Sequence, residues 1–327
     1  MTRKVNRYHP DRGLVEFILG ITFEIWERGR IERINEYYDA NAQIFALSGL
    51  IRGAGGMIAG TRRVLEAFPD RLLLADDVIW SGCAEKGYYS SHRIVSPMTN
   101  DGPSAYGPPT GKRVWTLTIA DCIVEGGRIT REYLLRDHYS LVQQLGIDPR
   151  RAAEQMAGER GADCERWIGG EIARLAGRSA PANDLPLPSP HANARGFARR
   201  VIQSHWAARS DAVPEAAYAE YAVMYRSPVE LCSGRESIKA HYAQLRQAIS
   251  GCNVSIDHVA RQPVGGDGLR IAVRWSVAGV QSGDYLGMPA TGRPVFVLGS
   301  THWRIVGERI ATEWTVFDQL GVMCQLV

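Results

Sequence analysis

Two aspartates at matching places are the strongest candidates for chemistry in this chain of 327 residues. Asp137 ends the segment REYLLRD and Asp318 ends TEWTVFD, so each follows an aromatic residue, Tyr133 or Trp314, by four positions. On a strand, side chains four positions apart point the same way, so each carboxylate should lie near a ring. Burial beside a ring disfavours the charged form and raises the pKa of a carboxylic acid, which makes it a better base near neutral pH. The pattern therefore predicts two candidate general acid/base residues.

Each aspartate also has a structural interpretation. The segment after Asp137, HYSLVQQLG, has the pattern of a short helix, and aspartate is a favoured residue immediately before a helix. A helix cap would be duplicated as readily as a catalytic residue, so both roles stay open at this point.

The similarity of the two segments extends over most of the chain at one offset of 181 positions. Thr110-Gly111-Lys112 matches Thr291-Gly292-Arg293, and Arg93 matches Arg274. A period this long indicates a repeated domain, in which each copy buries its own core. The other matching residues are Arg128, Ile129, Glu132, Gln144 and Leu145 with Arg309, Ile310, Glu313, Gln325 and Leu326.

The length of the chain supports the same division, because a single core rarely extends over so many residues. We expect a first domain at 1–148 and a second at 195–327. The segment 149–194 matches nothing in the other copy and is predicted to be a linker. Its first part is helical, and its proline-rich part, 179–193, should be extended and exposed.

Within each copy, helical patterns come first and strand patterns follow. This order predicts an α+β fold, in which N-terminal helices pack on a curved antiparallel sheet. The predicted strands are 42–47, 72–81, 87–96, 113–124 and 128–137 in the first copy, and 221–231, 253–262, 269–280, 294–306 and 309–318 in the second.

Composition narrows the choice of partners. The net charge is only +3 with 22% charged residues, and the basic residues are dispersed, so no nucleic-acid partner is expected. No stretch reaches membrane-spanning length, and the start does not resemble a signal peptide, which predicts a cytoplasmic protein without a membrane partner. Six cysteines without a C-x-x-C pair, and the absence of phosphate-loop and dinucleotide motifs, predict neither a metal nor a cofactor.

The combination of motifs resembles the SnoaL-like polyketide cyclases, in the superfamily that contains ketosteroid isomerase and nuclear transport factor two. The motifs are AFPD at 67–70, [PA]-T-G-[KR] at 109–112 and 290–293, and the closing [KR]-I-x-x-E-[WY]-x-x-x-D of each copy. The resemblance implies two tandem cone-shaped α+β barrels, each with a deep apolar pocket. It also implies that the aspartate on the last strand, Asp137 or Asp318, acts as the general acid/base.

Histidines are candidate partners of that base, because an imidazole can hold the developing enolate oxygen. His92 and His302 are therefore candidate catalytic residues. Val273 stands at the position that matches His92, and Asp121 at the position that matches His302, so the two sites should differ chemically.

The candidate substrate-binding residues come from the same segments. Arg93 and Arg274 could anchor a substrate anion or pair with an internal carboxylate, and both interpretations stay open. Tyr106, in a loop, could close the pocket. The remaining candidates are Tyr133, Trp314 and His138.

These features predict a cofactor-independent enzyme that removes a proton next to a carbonyl group in a small, largely apolar substrate. Cyclisation, isomerisation and dehydration would all fit, and Asp137 is the preferred base because the first copy keeps the fuller motif set. The alternatives are an epoxide or lactone hydrolase that uses the same aspartate, and a ligand-binding or scaffold protein without activity. The two domains should pair through their sheets as an intrachain pseudo-dimer, which could assemble further into a homodimer.

Overall fold

The computed structural model describes residues 9–10, 13–177, 187–207 and 212–327. The first eight residues, and the first part of the proline-rich segment predicted at 179–193, lie outside the described residues.

The first domain begins with short helical segments and continues into a sheet. Its helices are α1 (Leu14–Thr22), which runs into a π-helical turn (Phe23–Glu27), a 3-10 turn (Ile31–Arg33), α2 (Ile34–Tyr37), α3 (Gly53–Ala67) and α4 (His138–Leu145). Its strands are β1 (Tyr38–Ala46), β2 (Gly49–Arg52), β3 (Leu74–Cys83), β4 (Gly87–Thr99), β5 (Arg113–Glu125) and β6 (Arg128–Arg136).

Two helices, α5 (Pro149–Glu159) and α6 (Ala162–Leu175), connect this domain to the second. The second domain repeats the same order of elements. Its helices are α7 (Ala194–Trp206), α8 (Ala212–Ala217), α9 (Arg235–Ala248) and α10 (Gln319–Met323), and its strands are β7 (Tyr218–Ser227), β8 (Glu230–Ser233), β9 (Ile249–Val264), β10 (Gly268–Gln281), β11 (Pro294–Val306) and β12 (Arg309–Phe317).

Each domain contains one six-stranded sheet, ordered β2-β1-β6-β5-β4-β3 in the first and β8-β7-β12-β11-β10-β9 in the second. The chain is thus two tandem cone-shaped α+β domains, as the sequence predicts. The four strands predicted last in each copy form only part of its sheet, because β1 joins parallel to β6 and β2 pairs with β1. The strand β2 has only four residues, too few to show a clear alternating pattern.

The motifs shared by the two copies have structural functions. The Asn100 side chain binds the main chain and hydroxyl of Thr110, and Gln281 binds Thr291 in the same way, so each amide holds its T-G loop. Gln144 binds both the N–H and the carbonyl of Trp115. The matching glutamine, Gln325, does the same at Phe296, which ties the closing helix of each copy to its sheet.

The two sheets face each other, and polar as well as apolar side chains fill the space between them. The Tyr89 ring stacks on His258 with a centroid distance of 3.5 Å, and Ser81 Oγ lies 2.9 Å from Nε2 of the same histidine. Asp77, in the first domain, pairs with Arg270 in the second. Hydrogen bonds and ion pairs thus contribute to the interface between the domains.

None of the helices in the described part of the chain has the length and apolarity needed to span a membrane.

Candidate functional site

Several of the residues predicted to bind substrate meet one another between the two sheets. The Arg93 guanidinium lies 3.7 Å from the centroid of the Trp314 ring, and the Arg274 guanidinium lies 3.7 Å from that of Tyr133. His302 contributes its Nδ1, 3.1 Å from Arg93 Nη1. Arg93 also forms an ion pair with Asp76 at 2.7 Å. These five side chains hold the domains together and do not line the cavity described below.

These residues lie in the interface and not in the cavity because side chains alternate between the two faces of a strand. Adjacent residues point to opposite faces, so His92 and Glu132 point into the cone while Arg93 and Tyr133 point out of it. A change of one position in sequence therefore separates a residue of the interface from a residue of the cavity.

Asp137 and Asp318 both begin a helix. Asp137 Oδ1 accepts a hydrogen bond from the Ser140 amide at 3.1 Å, and Asp318 Oδ1 accepts one from the Gly321 amide at 3.0 Å. These are helix caps, as the structural interpretation proposed. Strand β6 ends at Arg136, one residue before the predicted end.

The second oxygens of the two aspartates differ. Asp137 Oδ2 is buried without a hydrogen-bond partner among the described residues. Burial raises the pKa of Asp137 to about 7, and the nearby negative charges of Glu230 and Asp318 act in the same direction. Asp318 Oδ2, in contrast, lies 2.9 Å from Nδ1 of His138. The offset of 181 places Gln319 where His138 stands, which explains why the pair forms on one side only.

The first domain contains a cavity of about 610 Å³. It is surrounded by helix α3, by strands β1, β2 and β6, by the loop around Tyr106 and by the segment that joins α5 to α6. A deeper compartment of about 50 Å³ continues into the cone. The residues that line both are Trp26, Met57, Arg71, Leu134 and Arg136.

His138 lines this cavity from the side of the second domain. Its side chain and that of Asp318 are almost completely buried, with residue exposures of 6% and 3%. If Nδ1–H donates to Asp318, the lone pair of the neutral ring is on Nε2. That nitrogen makes no hydrogen bond to another described residue. Asp318 thus reaches across the domain boundary to orient a histidine of the first domain, an arrangement that recurs where histidine acts as a base.

Tyr106 lies on the same side of the cavity. Its ring centroid is 6.1 Å from that of His138. Burial, together with the charge of Asp318, raises the pKa of the phenol well above its ordinary value, so the hydroxyl keeps its proton at neutral pH. Tyr106 is a hydrogen-bond donor within reach of a ligand that contacts the histidine.

Burial shifts the pKa values of two groups at the deep end of the cavity. Burial, with a smaller effect of the Arg93 charge, lowers the pKa of His92 to about 4, and its Nε2 has no partner among the described residues. Burial raises the pKa of Glu132, whose Oε2 accepts a hydrogen bond from Tyr38 at 2.9 Å. His92 Nε2 is thus available for a hydrogen bond with a ligand.

The two arginines in the lining, Arg71 and Arg136, were not among the residues predicted from sequence. Arg71 follows the AFPD motif directly, and Arg136 precedes Asp137. The signal that could have identified them is their mismatch with the second copy, which has Cys252 and Phe317 at these positions.

Aromatic side chains fill the interior of the second domain where the first has its cavity. At an offset of 181, Tyr242 replaces Thr61, Trp275 replaces Ile94, and Phe317 replaces Arg136. All three are buried, and the Trp275 and Phe317 rings lie 6.0 Å apart. The open cavity and its polar groups therefore belong to the first domain.

The described residues include no group of three or more His, Cys, Asp and Glu side chains that could hold a metal ion.

Comparison with known proteins finds a family model that matches the second domain. Residues 193–326 match the family model described as SnoaL-like polyketide cyclase. The search against curated proteins finds no match.

Solved structures similar to this chain each cover about two fifths of it. IdmH from Streptomyces antibioticus is 21% identical, with 41% of this chain and 99% of that chain covered and a TM-score of 0.36. TsrD from Streptomyces laurentii is 21% identical, with 42% and 97% covered and a TM-score of 0.37. A SnoaL-like polyketide cyclase from Agrobacterium tumefaciens is 17% identical, with 40% and 98% covered and a TM-score of 0.34.

The match covers the second domain, and the first domain repeats its order of elements and its sheet topology. The second domain is therefore similar to the SnoaL-like polyketide cyclases over residues 193–326.

Proposed function

We propose that the first domain is an acid–base enzyme that removes a proton next to the carbonyl group of a small substrate, with His138 as the base. The observation that carries this proposal is the hydrogen bond between His138 Nδ1 and Asp318 Oδ2 at the wall of a cavity of about 610 Å³. That volume lies within the usual range of small-molecule sites.

The proposed step uses three side chains. Nε2 of His138 accepts the proton from the α-carbon, and the charge that appears on the imidazole is stabilised by Asp318. Tyr106, which keeps its proton, donates a hydrogen bond to the oxygen on which the enolate charge develops. The protonated histidine can then return the proton to carbon or oxygen, which completes an isomerisation, an aldol cyclisation or a dehydration.

Asp137 remains the alternative base, because a carboxyl group with a pKa near 7 is suited to proton transfer at neutral pH. Two observations favour His138. Asp137 is not among the residues that line the cavity, and its free oxygen is enclosed by protein. The motif position that the resemblance assigns to catalysis thus serves, in this proposal, to cap one helix and to orient the histidine from the other domain.

The test is exchange of α-protons for deuterium, measured by proton NMR with acetophenone in deuterated buffer. His138→Gln should lower the enzymatic rate by about 10²–10⁴-fold, the usual contribution of a general base. Asp318→Asn keeps the helix cap and should lower the rate less, with a changed dependence on pH and an unchanged KM. Circular dichroism would verify that both variants fold.

Asp137→Asn is the matched variant, since Asp137 and Asp318 cap equivalent helices. Loss of exchange in Asp137→Asn with normal rates in the His138 and Asp318 variants would assign the base to Asp137. Normal rates in all three would refute acid–base catalysis at this site. If the wild-type protein hydrolyses an epoxide or lactone with uptake of ¹⁸O from water and does not exchange α-protons, the same base would instead activate water.

A further inference from the structure

We infer that the cavity of the first domain takes a carbonyl compound that carries a carboxylate, held by Arg71 and Arg136. This inference rests on the proposed function for the position of the carbonyl group, but the anion site itself stands on separate observations. It concerns two residues that the proposed reaction does not use.

The first observation is that both guanidinium groups lack an acidic partner. Arg71 is 7% exposed, and neither arginine makes an ion pair within 4.0 Å among the described residues. The Nε atoms of both are buried without a hydrogen-bond partner. A buried cation without a counter-ion is costly, and it persists where a ligand supplies the missing charge.

The second observation is the distribution of charge around the cavity. Arg71 interacts electrostatically with Arg136 and with Tyr106, and with no carboxylate. Arg136 interacts through space with Glu132 and Asp318, but neither comes close enough to form an ion pair. Burial, with a smaller effect of Arg136, lowers the pKa of Arg71 to about 9, so the group is still charged at neutral pH.

Apart from Glu132 at the deep end, the acidic residues in the lining lie at the mouth of the cavity. Glu66 and Glu159 are exposed to solvent, and Asp163 pairs with Arg52 at 3.2 Å. The interior thus holds two arginines against one carboxyl group, that of Glu132, whose pKa is raised by burial. An anion that entered would exchange water for two guanidinium groups, which bind a planar carboxylate with several parallel hydrogen bonds.

The third observation comes from the second domain, which serves as an internal control. It has Cys252 and Phe317 in place of the two arginines, and its interior is filled. Both charges are absent where the cavity is absent. Arginines needed only for the fold should have been retained in both copies, as Arg128 and Arg309 are, each of which binds main-chain carbonyl groups.

Tyr106 connects the anion site to the proposed base. It interacts electrostatically with both arginines, and its ring is 6.1 Å from that of His138. A ligand with its carboxylate at the arginines can therefore present a carbonyl group to the Tyr106 hydroxyl and a C–H bond to His138. The substrate class that fits is a keto acid with an apolar body.

The test compares two probes of one shape, 4-acetylbenzoate and its neutral analogue 4-acetylbenzamide, by isothermal titration calorimetry at pH 7. We expect the carboxylate to bind at least 10-fold more tightly than the amide. Arg136→Gln and Arg71→Gln should each weaken the carboxylate by about 10–100-fold and leave the amide unchanged, as expected for loss of hydrogen bonds to a charged group. Arg131→Gln, an exposed arginine of the same strand, is the control and should bind both probes normally.

Thermal unfolding supplies a second measurement. The charges of Arg71 and Arg136 are unpaired, so replacing either arginine by glutamine should leave the melting temperature of the ligand-free protein unchanged or raise it. If the arginines were needed for the fold, the same substitutions would lower the melting temperature. Equal affinity for the two probes, no binding of either, or unchanged carboxylate affinity in both arginine variants would overturn the inference.

The proposed function can fail separately. If His138→Gln binds 4-acetylbenzoate normally while the wild type exchanges no α-protons, the anion site holds and the base assignment fails. If the wild type exchanges the protons of acetophenone but has no preference for the carboxylate, the proposed function holds and the anion site fails.

Discussion

Asp137 lies buried at the start of α4, with a hydrogen-bond donor for only one of its oxygens, and its replacement by asparagine provides a quantitative test of this environment. Burial raises the pKa of Asp137 from an ordinary value of 3.8 to about 7. The folded protein therefore binds this proton more tightly than the unfolded chain. The resulting stabilisation is complete below pH about 4 and is lost as the pH rises towards 7.

The size of the effect follows from the two pKa values. They differ by about 3, and each pKa unit corresponds to about 1.4 kcal/mol, so the wild type should lose about 4 kcal/mol of this contribution by pH 8. Asparagine keeps the cap and has no charge to bury. Its amide nitrogen, however, replaces an oxygen that lacks a partner, which costs about 1–3 kcal/mol. Asp137→Asn should therefore be more stable than the wild type at pH 8 by about 1–3 kcal/mol.

The assay is urea unfolding at several pH values between 4 and 8, followed by circular dichroism. The free energy of unfolding of the wild type should fall relative to that of Asp137→Asn across this range. Asp318→Asn is the control with the opposite expectation, because the second oxygen of Asp318 binds His138 and its removal leaves a buried imidazole without its partner. That variant should be less stable than the wild type at pH 8.

A difference between wild type and Asp137→Asn that stays constant from pH 4 to pH 8 would refute the reasoning. So would a variant that is less stable than the wild type at pH 8 but folds normally. Either result would mean that the carboxylate of Asp137 is charged and solvated, or paired, in the folded protein.

Two further predictions concern the filled domain and the domain interface. Gly299→Ala should destabilise the protein by about 1–3 kcal/mol in urea unfolding, because an added Cβ would overlap the Trp275 ring. The second substitution Trp275→Ile gives the pair of positions the same arrangement as in the first domain, where a residue with a β-carbon faces Ile94, and should recover most of the loss. No recovery would count against this packing argument. Arg93→Ala should cost about 1–2 kcal/mol, since it removes the ion pair with the half-exposed Asp76 at 2.7 Å and the contact with Trp314. An unchanged unfolding midpoint would show that the interface does not depend on this residue.

The repetition in this chain separates residues needed for the fold from residues of the cavity. Those retained in both copies mostly hold main-chain groups: the aspartates cap helices, and Gln144 and Gln325 each bind both polar groups of one strand residue. Residues that differ, such as Arg136 and Phe317, lie inside the cones. In a duplicated chain, the mismatches are thus a better guide to the site than the matches.

The sequence by itself determined the features that depend on local pattern and on the repeat. The two α+β copies, the main strands and the helix that follows each aspartate all come from short stretches whose hydrophobic period and capping residues act locally. The offset of 181 related the copies without any knowledge of their packing. The same local information also predicted the capping role that Asp137 and Asp318 have in the structure.

Only the tertiary structure decided which face of each strand lines the cavity. In most sheets one face is solvated, and polar alternation identifies it. Here one face of each sheet packs on the helices of its own domain, and the opposite face packs on the other domain. A strand such as β4 is therefore buried on both faces and shows no alternation. Contacts between distant residues, such as His138 with Asp318, likewise arise only when the domains meet. For the same reason the unpaired state of Arg71 and Arg136 is a property of the folded chain, since a missing counter-ion becomes evident only when every neighbour is known.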